Sequence, residues 1–296
     1  NPSTSSSSLS LSPFFLSLSP LPSNDLIHLF PLIRSRNIHQ IILFGDSITR
    51  QIARFLSCDL LRTTHISVTL NSSLFYTTLE GDEIKSAYFE YNKYPLQLTL
   101  GEINETVCHL KKLSYYKSIL QSFRCLVTKS SKQQPIVFIY NAGLHLYSGT
   151  KFYNKYIHPI IKALIKFAKE TKGRVYVLFR ETSAQHFHAR IGGLFDANTN
   201  PDYASGDVCC RLDSVQLAQE GDWRNRVFRE GFQREDERWE EYIGWVPFYN
   251  TTLALADMHL EVNYKRDSDC THFIYAPFIL RPLWLDTIKV LKRLLQ

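Results

Sequence analysis

The sequence predicts an α/β protein whose largely parallel sheet is covered by helices on both faces. From about Asn37 onward, short apolar runs of strand length alternate with longer stretches in which apolar residues recur at helical spacing. Strands separated by helices require crossover connections, and these connections produce parallel strand pairing. In such sheets, ligands bind beyond the carboxyl ends of the strands. The polar residues that follow each predicted strand are therefore the candidate site residues.

The first strand and the first helix are predicted on either side of a polar corner. Residues 39–44 contain the apolar run Ile41-Ile42-Leu43-Phe44, which is typical of a buried strand. Apolar residues recur at helical spacing in residues 48–61, so a helix follows. The intervening Gly45-Asp46-Ser47 triplet is therefore predicted to lie at a strand-to-helix corner.

The remaining elements continue the alternation. The sequence predicts extended segments within residues 86–100, strands at 135–141 and 174–180, and helices at 107–124, 153–172 and 282–296. Gly173 is expected to end the helix at 153–172. Residues 190–248 show weak periodicity and are predicted to form a long excursion with little regular structure.

The N-terminal region differs in composition from the rest of the chain. Residues 1 to about 25 are mainly Ser, Leu and Pro, and prolines interrupt every apolar run. This composition predicts a disordered tail or stem. The predicted organisation is therefore a low-complexity segment at 1–36 followed by one folded domain at 37–296.

Charge and hydropathy bear on the classes of partner. The net charge of +6 is spread along the chain, because basic pairs such as Lys111-Lys112 alternate with acidic stretches, so no nucleic-acid partner is inferred. No apolar run approaches the roughly 18 residues needed to span a bilayer, although an anchor preceding Asn1 stays open. Six cysteines and the glycosylation sequons at Asn71, Asn104 and Asn250 favour a secretory setting.

Two polar motifs near opposite ends of the chain supply the groups of a serine catalytic site. A serine hydroxyl such as that of Ser47 needs a base, and a histidine oriented by a carboxylate is the common solution. Asp269 and His272 are three residues apart, and on a helical turn this spacing puts both side chains on one face. The Ser47 amide, the Asn141 side-chain amide and a glycine amide, with Gly143 nearest to a motif, are candidate oxyanion donors.

Each of these residues also has a structural interpretation. Asp and Ser are preferred at helix N-caps, which would explain Asp46-Ser47. Asp269 and His272 can form a pair on a helix surface, and Asn141 can be a turn residue at a strand end. No metal or cofactor is predicted, because the spacing of the histidines fits no standard zinc pattern; those considered are His145, His186 and His188.

Four motifs, taken in order, resemble those of the SGNH/GDSL hydrolase superfamily. The resemblance is strongest to its PC-esterase branch, which includes the plant trichome-birefringence-like polysaccharide O-acetyltransferases, and it covers roughly residues 38–295. The motifs are Gly45-Asp46-Ser47, Asn141-x-Gly143, Arg180-Glu181-Thr182-Ser183-x-x-His186-Phe187 and Asp269-Cys270-Thr271-His272-Phe273.

The resemblance implies a flavodoxin-like three-layer α/β/α sandwich with a mainly parallel sheet, and acyl transfer through an acyl-serine intermediate. In this scheme Ser47 is the nucleophile, His272 the base and Asp269 its orienting carboxylate. Asn141 would lie in the oxyanion hole, and Arg180 would either support the site loops or contact substrate.

The expected function is transfer of an acyl group, commonly acetyl, to or from a carbohydrate, without a cofactor and in the Golgi, the secretory pathway or the extracellular space. The partners are then a glycan and an acyl donor. Two alternatives stay open. One is a carbohydrate esterase that uses water as acceptor, and the other is a non-catalytic carbohydrate-binding protein on the same fold.

Overall fold

The structure is a computed structural model, and it describes most of the chain from Leu29 onward. The described residues are 29–62, 66–67, 77–79, 82–91, 94–101, 115–129, 134–141, 150–186, 221–261, 268–274 and 277–296. The tail predicted at residues 1–25, the first part of the predicted helix at 107–124, Gly143 and much of the predicted excursion at 190–248 lie outside these ranges.

Strands and helices alternate along the described chain. The strands are β1 (Gln40–Phe44), β2 (Ile66–Ser67), β3 (Thr77–Leu79), β4 (Asp82–Tyr91), β5 (Tyr94–Gly101), β6 (Ile136–Tyr140), β7 (Val175–Arg180), β8 (Ile243–Val246), β9 (His259–Glu261) and β10 (Ser268–Phe273). The helices are α1 (Leu29–Ser35), α2 (Ser47–Arg62), α3 (Tyr115–Lys129), α4 (Thr150–Phe152), α5 (His158–Glu170), α6 (Trp223–Glu235), α7 (Tyr249–Leu253) and α8 (Pro277–Leu294). A π-helical turn at Tyr153–Ile157 joins α4 to α5, and Gly173 follows α5 with a positive φ of 83°.

The main sheet has the order β2-β4-β5-β1-β6-β7-β8, with β3 paired to β4. Strands β5, β1, β6, β7 and β8 pair in parallel, whereas β4 is antiparallel to β5 and to β2. The predicted mixed α/β class with a parallel sheet is thus confirmed. Numbered in chain order, the parallel strands run 2-1-3-4-5, so the strand order reverses at β1.

Two hydrophobic clusters lie on opposite faces of the sheet. On β1, Ile41 and Leu43 pack in the cluster that includes residues of α1, α2 and α8. The alternating residues Ile42 and Phe44 pack in the cluster that includes residues of α3, α5 and α6. Because β1, β6 and β7 are covered on both faces, they read as continuous apolar runs in the sequence.

Residues 221–246 correct the prediction of an irregular excursion. Helix α6 and strand β8 are regular, and β8 extends the parallel sheet beyond β7. The helical pattern of α6 is weak because few of its residues are apolar, although Phe228 and Phe232 are buried one turn apart. Strand β8 has only four residues and includes Gly244, so it carries little strand signal.

The predicted domain boundary at residue 37 is too late. Helix α1 lies in the segment assigned to the tail, yet Leu29, Phe30 and Ile33 are buried in the cluster that contains α2 and α8. Helix α1 has only 7 residues, so its apolar periodicity is hard to distinguish from the Leu-rich composition of the preceding segment. The folded domain therefore includes Leu29–Ser35. Within the described ranges, no helix has the length and apolarity required to cross a bilayer.

Phe30→Ala tests whether α1 belongs to the folded domain. Phe30 is 1% exposed, and removing a buried phenyl ring typically costs about 3–5 kcal/mol. We expect the free energy of unfolding, measured by urea denaturation, to fall by about that amount. The matched control Arg34→Ala, at an exposed position of the same helix, should stay within about 0.5 kcal/mol of the wild type. Equal effects of the two variants would contradict the assignment.

Candidate active site

Ser47 is the first residue of α2 and follows β1 after two residues. The Oδ1 atom of Asp46 accepts hydrogen bonds from the Thr49 amide at 3.2 Å and from the Thr49 hydroxyl at 3.4 Å. The predicted strand-to-helix corner is confirmed, and Asp46 caps the first turn of α2. The capping interpretation therefore accounts for Asp46 and not for the hydroxyl of Ser47.

Gly45 lies where the first turn of α2 approaches the end of β6. A Cβ atom on Gly45 would lie 2.4 Å from Thr49 Oγ1 and 2.6 Å from the carbonyl oxygen of Asn141. The Asn141 amide donates a 3.0 Å hydrogen bond to the Phe44 carbonyl. Any side chain at residue 45 would force these two segments apart. The glycine of the triplet thus has a packing reason that is independent of catalysis.

Asn141 joins the ends of β6 and β7. Its side chain is 1% exposed, and Nδ2 donates to the Arg180 carbonyl at 2.8 Å and to Thr182 Oγ1 at 3.2 Å. These two bonds use both amide protons, so the side chain can serve an oxyanion only if one of them is redirected. The oxyanion role of Asn141 stays a prediction, and Gly143 lies outside the described residues.

Arg180 is a buried cation at the end of β7. Its side chain is 2% exposed, and Nη2 donates to Thr49 Oγ1 at 3.2 Å and lies 4.0 Å from Asp46 Oδ1. Nη1 donates to the Glu181 carbonyl at 2.9 Å, and the guanidinium lies over the Phe248 ring. Burial lowers the pKa of Arg180 to about 10, against the attraction of Asp46 and Glu181, so the group stays charged near neutral pH. Arg180 therefore ties β7 to the corner that carries Ser47.

The polar segment that follows β7 is held by Asn225 of α6, which no sequence motif includes, and by the contacts of Glu181, which belongs to the third motif. Asn225 of α6 exchanges two hydrogen bonds with the backbone of Thr182, at 2.8 Å and 3.1 Å. The Glu181 carboxylate accepts bonds from Trp245 Nε1 at 2.7 Å and from the amides of residues 248 and 249 at 2.9 Å each. Since these partners are 43 to 68 residues away in the chain, no local pattern reveals them.

Arg224 is a second buried cation near the same corner. It is 3% exposed on α6, and its guanidinium lies 4.7 Å from the centre of the Trp223 ring. Burial lowers the pKa of Arg224 to about 10, and the Asp46 carboxylate opposes this shift. The sequence offers no signal for it, because arginine recurs at residues 226, 229 and 234 of the same helix.

The segment that contains Asp269 and His272 forms strand β10, which corrects the predicted helical turn. Asp269 pairs with Leu260 and Phe273 pairs with His259, so the register shifts between these two positions. Side chains three residues apart lie on one face of a helical turn. In a strand they can share a face only where an irregularity such as this one interrupts the pleat. The side chain of Asp269 lies outside the described residues, so its pairing with His272 stays a prediction.

Gln51 brings the His272 segment to the helix that begins at Ser47. Its Oε1 atom accepts a 3.1 Å hydrogen bond from the Phe273 amide, and its Nε2 atom donates to the Phe273 carbonyl. Residues four apart on a helix lie on the same face, so Gln51 shares a face with Ser47. The residue that follows His272 is therefore fixed one turn along α2 from Ser47.

Two further contacts hold the Thr271 side chain and the His272 carbonyl. Thr271 Oγ1 donates to Gln185 Oε1 at 3.2 Å, which links β10 to the segment after β7. A ring nitrogen of His259, Nδ1, lies 3.0 Å from the His272 carbonyl oxygen. Residues 271–273 are thus held by three separate elements, whereas Ser47 is held by its position on α2.

The sequence motifs that resemble the SGNH superfamily are short and widely spaced. A scan against models of known protein families and a search of curated proteins find no match to this chain.

Gln51→Ala tests the link between α2 and β10. The variant removes both hydrogen bonds to Phe273, and leaving buried backbone groups unsatisfied costs about 1–3 kcal/mol. We expect amide hydrogen exchange at Phe273 to accelerate by about tenfold or more, while exchange in β1 and β6 changes less. The control Gln121→Ala lies at an exposed position of α3 and should leave Phe273 exchange unchanged. Uniform acceleration throughout the sheet would contradict a local link.

Proposed function

We propose that the chain is a serine-dependent acyl-transfer enzyme that acts on O-acyl groups of a carbohydrate, chiefly O-acetyl groups, and passes the acyl group to a sugar hydroxyl. The observation that carries the proposal is the Gln51 bridge, because it holds the strand of His272 against the helix that begins at Ser47. Ser47 and His272 are 225 residues apart in the chain, and this bridge holds their two segments at one helix.

The location in the sheet supports the same proposal. Ser47 and Asn141 follow β1 and β6, which are neighbouring parallel strands. The strand order reverses at β1, and open α/β sheets bind ligands outside the carboxyl ends at such a point. The order 2-1-3-4-5, with helices on both faces, is that of flavodoxin-like sheets, so we assign the flavodoxin-like three-layer sandwich as part of the proposal.

In the proposed mechanism, Ser47 Oγ attacks the acyl carbonyl while His272 accepts the hydroxyl proton. The tetrahedral intermediate collapses, the protonated His272 returns the proton to the departing oxygen, and the acyl group stays on Ser47. The acceptor hydroxyl then loses its proton to His272 and attacks the acyl-serine, and collapse of this second tetrahedral intermediate releases the new ester as His272 returns the proton to Ser47 Oγ. Asp269 orients the imidazole, and the Ser47 amide at the first turn of α2 faces the developing oxyanion.

Arg180 acts in this scheme as a structural cation. Its guanidinium is satisfied by Thr49, the Glu181 carbonyl and the Asp46 carboxylate, which are all protein groups. It therefore keeps the corner of Ser47 fixed relative to the end of β7. This favours the supporting role over the substrate-contacting role.

A secretory location, in the Golgi or outside the cell, is part of the proposal. Cys125 of α3 forms a disulfide, and disulfides persist in oxidising compartments. The sequons at Asn71, Asn104 and Asn250 agree with passage through that pathway.

Ser47→Ala tests the nucleophile. Hydrolysis of p-nitrophenyl acetate should fall on the order of a thousandfold or more, because the acyl-serine cannot form. The control Ser35→Ala removes an exposed hydroxyl at the end of α1, which precedes β1 in the chain, and should keep wild-type turnover. Unchanged turnover in Ser47→Ala would refute the catalytic assignment and favour the carbohydrate-binding alternative.

The identity of the acceptor is tested by product analysis. With an acetyl donor and an oligosaccharide acceptor, mass spectrometry should detect acetylated oligosaccharide that Ser47→Ala does not produce. Transfer is expected because a sugar hydroxyl held beside the acyl-serine gains a large effective concentration over solvent water. Free acetate as the only product, at every acceptor concentration, would assign the esterase alternative.

A further inference from the structure

A buried pair of histidines lies directly behind the His272 strand. His186, after β7, and His259, at the start of β9, are both buried, and their Nδ1 and Nε2 atoms respectively lie 2.7 Å apart. The other nitrogen of His186 lies 2.9 Å from the Leu253 carbonyl. The other nitrogen of His259 lies 3.0 Å from the His272 carbonyl. The pair thus forms a continuous chain of contacts between two backbone carbonyl groups.

The partners of the pair determine how many protons it holds. A carbonyl oxygen only accepts, so His186 Nε2 and His259 Nδ1 must each carry a proton. The 2.7 Å contact between the rings needs a proton of its own, because two lone pairs at that distance repel. Three protons on two imidazoles give the pair a single positive charge. The separation also falls in the range of charge-assisted hydrogen bonds.

The surroundings place the charge on His259. Burial lowers the pKa of His186, although the Leu253 carbonyl and Asp257 act in the opposite direction, so His186 is the neutral partner. The His259 ring stacks on the Phe273 ring with a centroid separation of 4.5 Å, and an aromatic face stabilises a cation. Asp257, in the turn before β9, raises the pKa of His186 through its negative charge. The backbone carbonyl of His272 contacts His259 from β10, and strands β9 and β10 also carry Glu261 and Asp269, whose side chains lie outside the described residues.

A metal ion does not account for the pair. A zinc ion between two imidazole nitrogens would hold them roughly 3–4 Å apart, because each Zn–N bond is about 2.0 Å long. The observed 2.7 Å is too short. Among the described residues, no group of three or more His, Cys, Asp or Glu is placed to hold a metal.

We propose that His259 is a positioning residue, held as an imidazolium that donates to the His272 carbonyl on one side and to the neutral His186 ring on the other. The inference rests on the proposed function in so far as His272 is the base. One peptide group joins His272 to Phe273. His259 donates to its carbonyl oxygen, and its amide donates to Gln51, so both polar atoms of this peptide group are held.

Loss of the shared proton has a defined consequence. Once the pair is neutral, two protons serve three contacts, so either the His272 carbonyl, the Leu253 carbonyl or the contact between the rings loses its hydrogen bond. Because only the pair that holds three protons makes all three hydrogen bonds, these bonds are complete at low pH, and one is lost as pH rises and the third proton leaves. Positioning of His272 is lost over the same range.

The proton count is measured by NMR on the full chain with ¹⁵N-labelled histidine, at a series of pH values between about 6 and 9. At the acid end we expect two protonated nitrogens on His259 and one on His186, with signals assigned by their loss in His259→Gln and His186→Gln. Two neutral rings throughout would overturn the inference. This readout does not depend on catalysis, so it stands or falls separately from the Ser47→Ala result.

The positioning role is measured from the pH dependence of kcat. In the wild type, kcat should decline on the alkaline side in step with loss of the His259 proton seen by NMR. His259→Gln, which cannot carry the charge, should lower kcat by about tenfold to a hundredfold and should lack that decline. The control His158→Gln changes a partly exposed histidine on α5 and should keep the wild-type profile. If His259→Gln folds and keeps the wild-type kcat and pH profile, His259 does not position the base.

Discussion

The buried positive charge of Arg180 is the constraint around which the site is organised. A guanidinium removed from water is costly unless its donors are satisfied and its charge is opposed. Thr49, the Glu181 carbonyl and the Asp46 carboxylate meet these needs, and they come from the corner after β1 and the end of β7. Satisfying one cation therefore fixes the relative position of two strands that are not neighbours in the sheet.

Side-chain hydrogen bonds to the backbone also hold the segment that follows Arg180. Asn141 binds the Arg180 carbonyl, Asn225 binds both backbone groups of Thr182, and Thr252 Oγ1 accepts from the Ala184 amide. A segment with little apolar content after β7 is thereby held almost residue by residue. Such segments are rigid only while every bond is made, because they lack the broad apolar contacts that stabilise the sheet.

The sequence predicts the parts of the fold that depend on local pattern. Strands β1, β6 and β7 were found because burial on both faces makes them continuous apolar runs, and the corner at Ser47 follows from β1 and α2. The sequence does not reveal α1 or β8, because such short elements give weak periodicity. It also suggests a helical turn where β10 lies, because three-residue spacing suits more than one backbone geometry. The partners Gln51, Asn225 and His259 are missed for a different reason: each acts on residues distant in the chain, so their roles exist only in three dimensions.

Strands β9 and β10 form their own two-stranded sheet, and within the part of the chain that the structure describes no ladder joins it to the main sheet. Among the described residues, the buried ring of Phe273 and side-chain hydrogen bonds with Gln51 and Gln185 attach it, whereas Ser47 begins the helix that follows the central strand β1. Ser47 and His272 thus belong to different structural units, the first on the helix that follows β1 and the second in the sheet of β9 and β10. Because local stability follows buried apolar contacts, we expect heat or denaturant to open β9 and β10 before the core that contains Trp239 and Trp245.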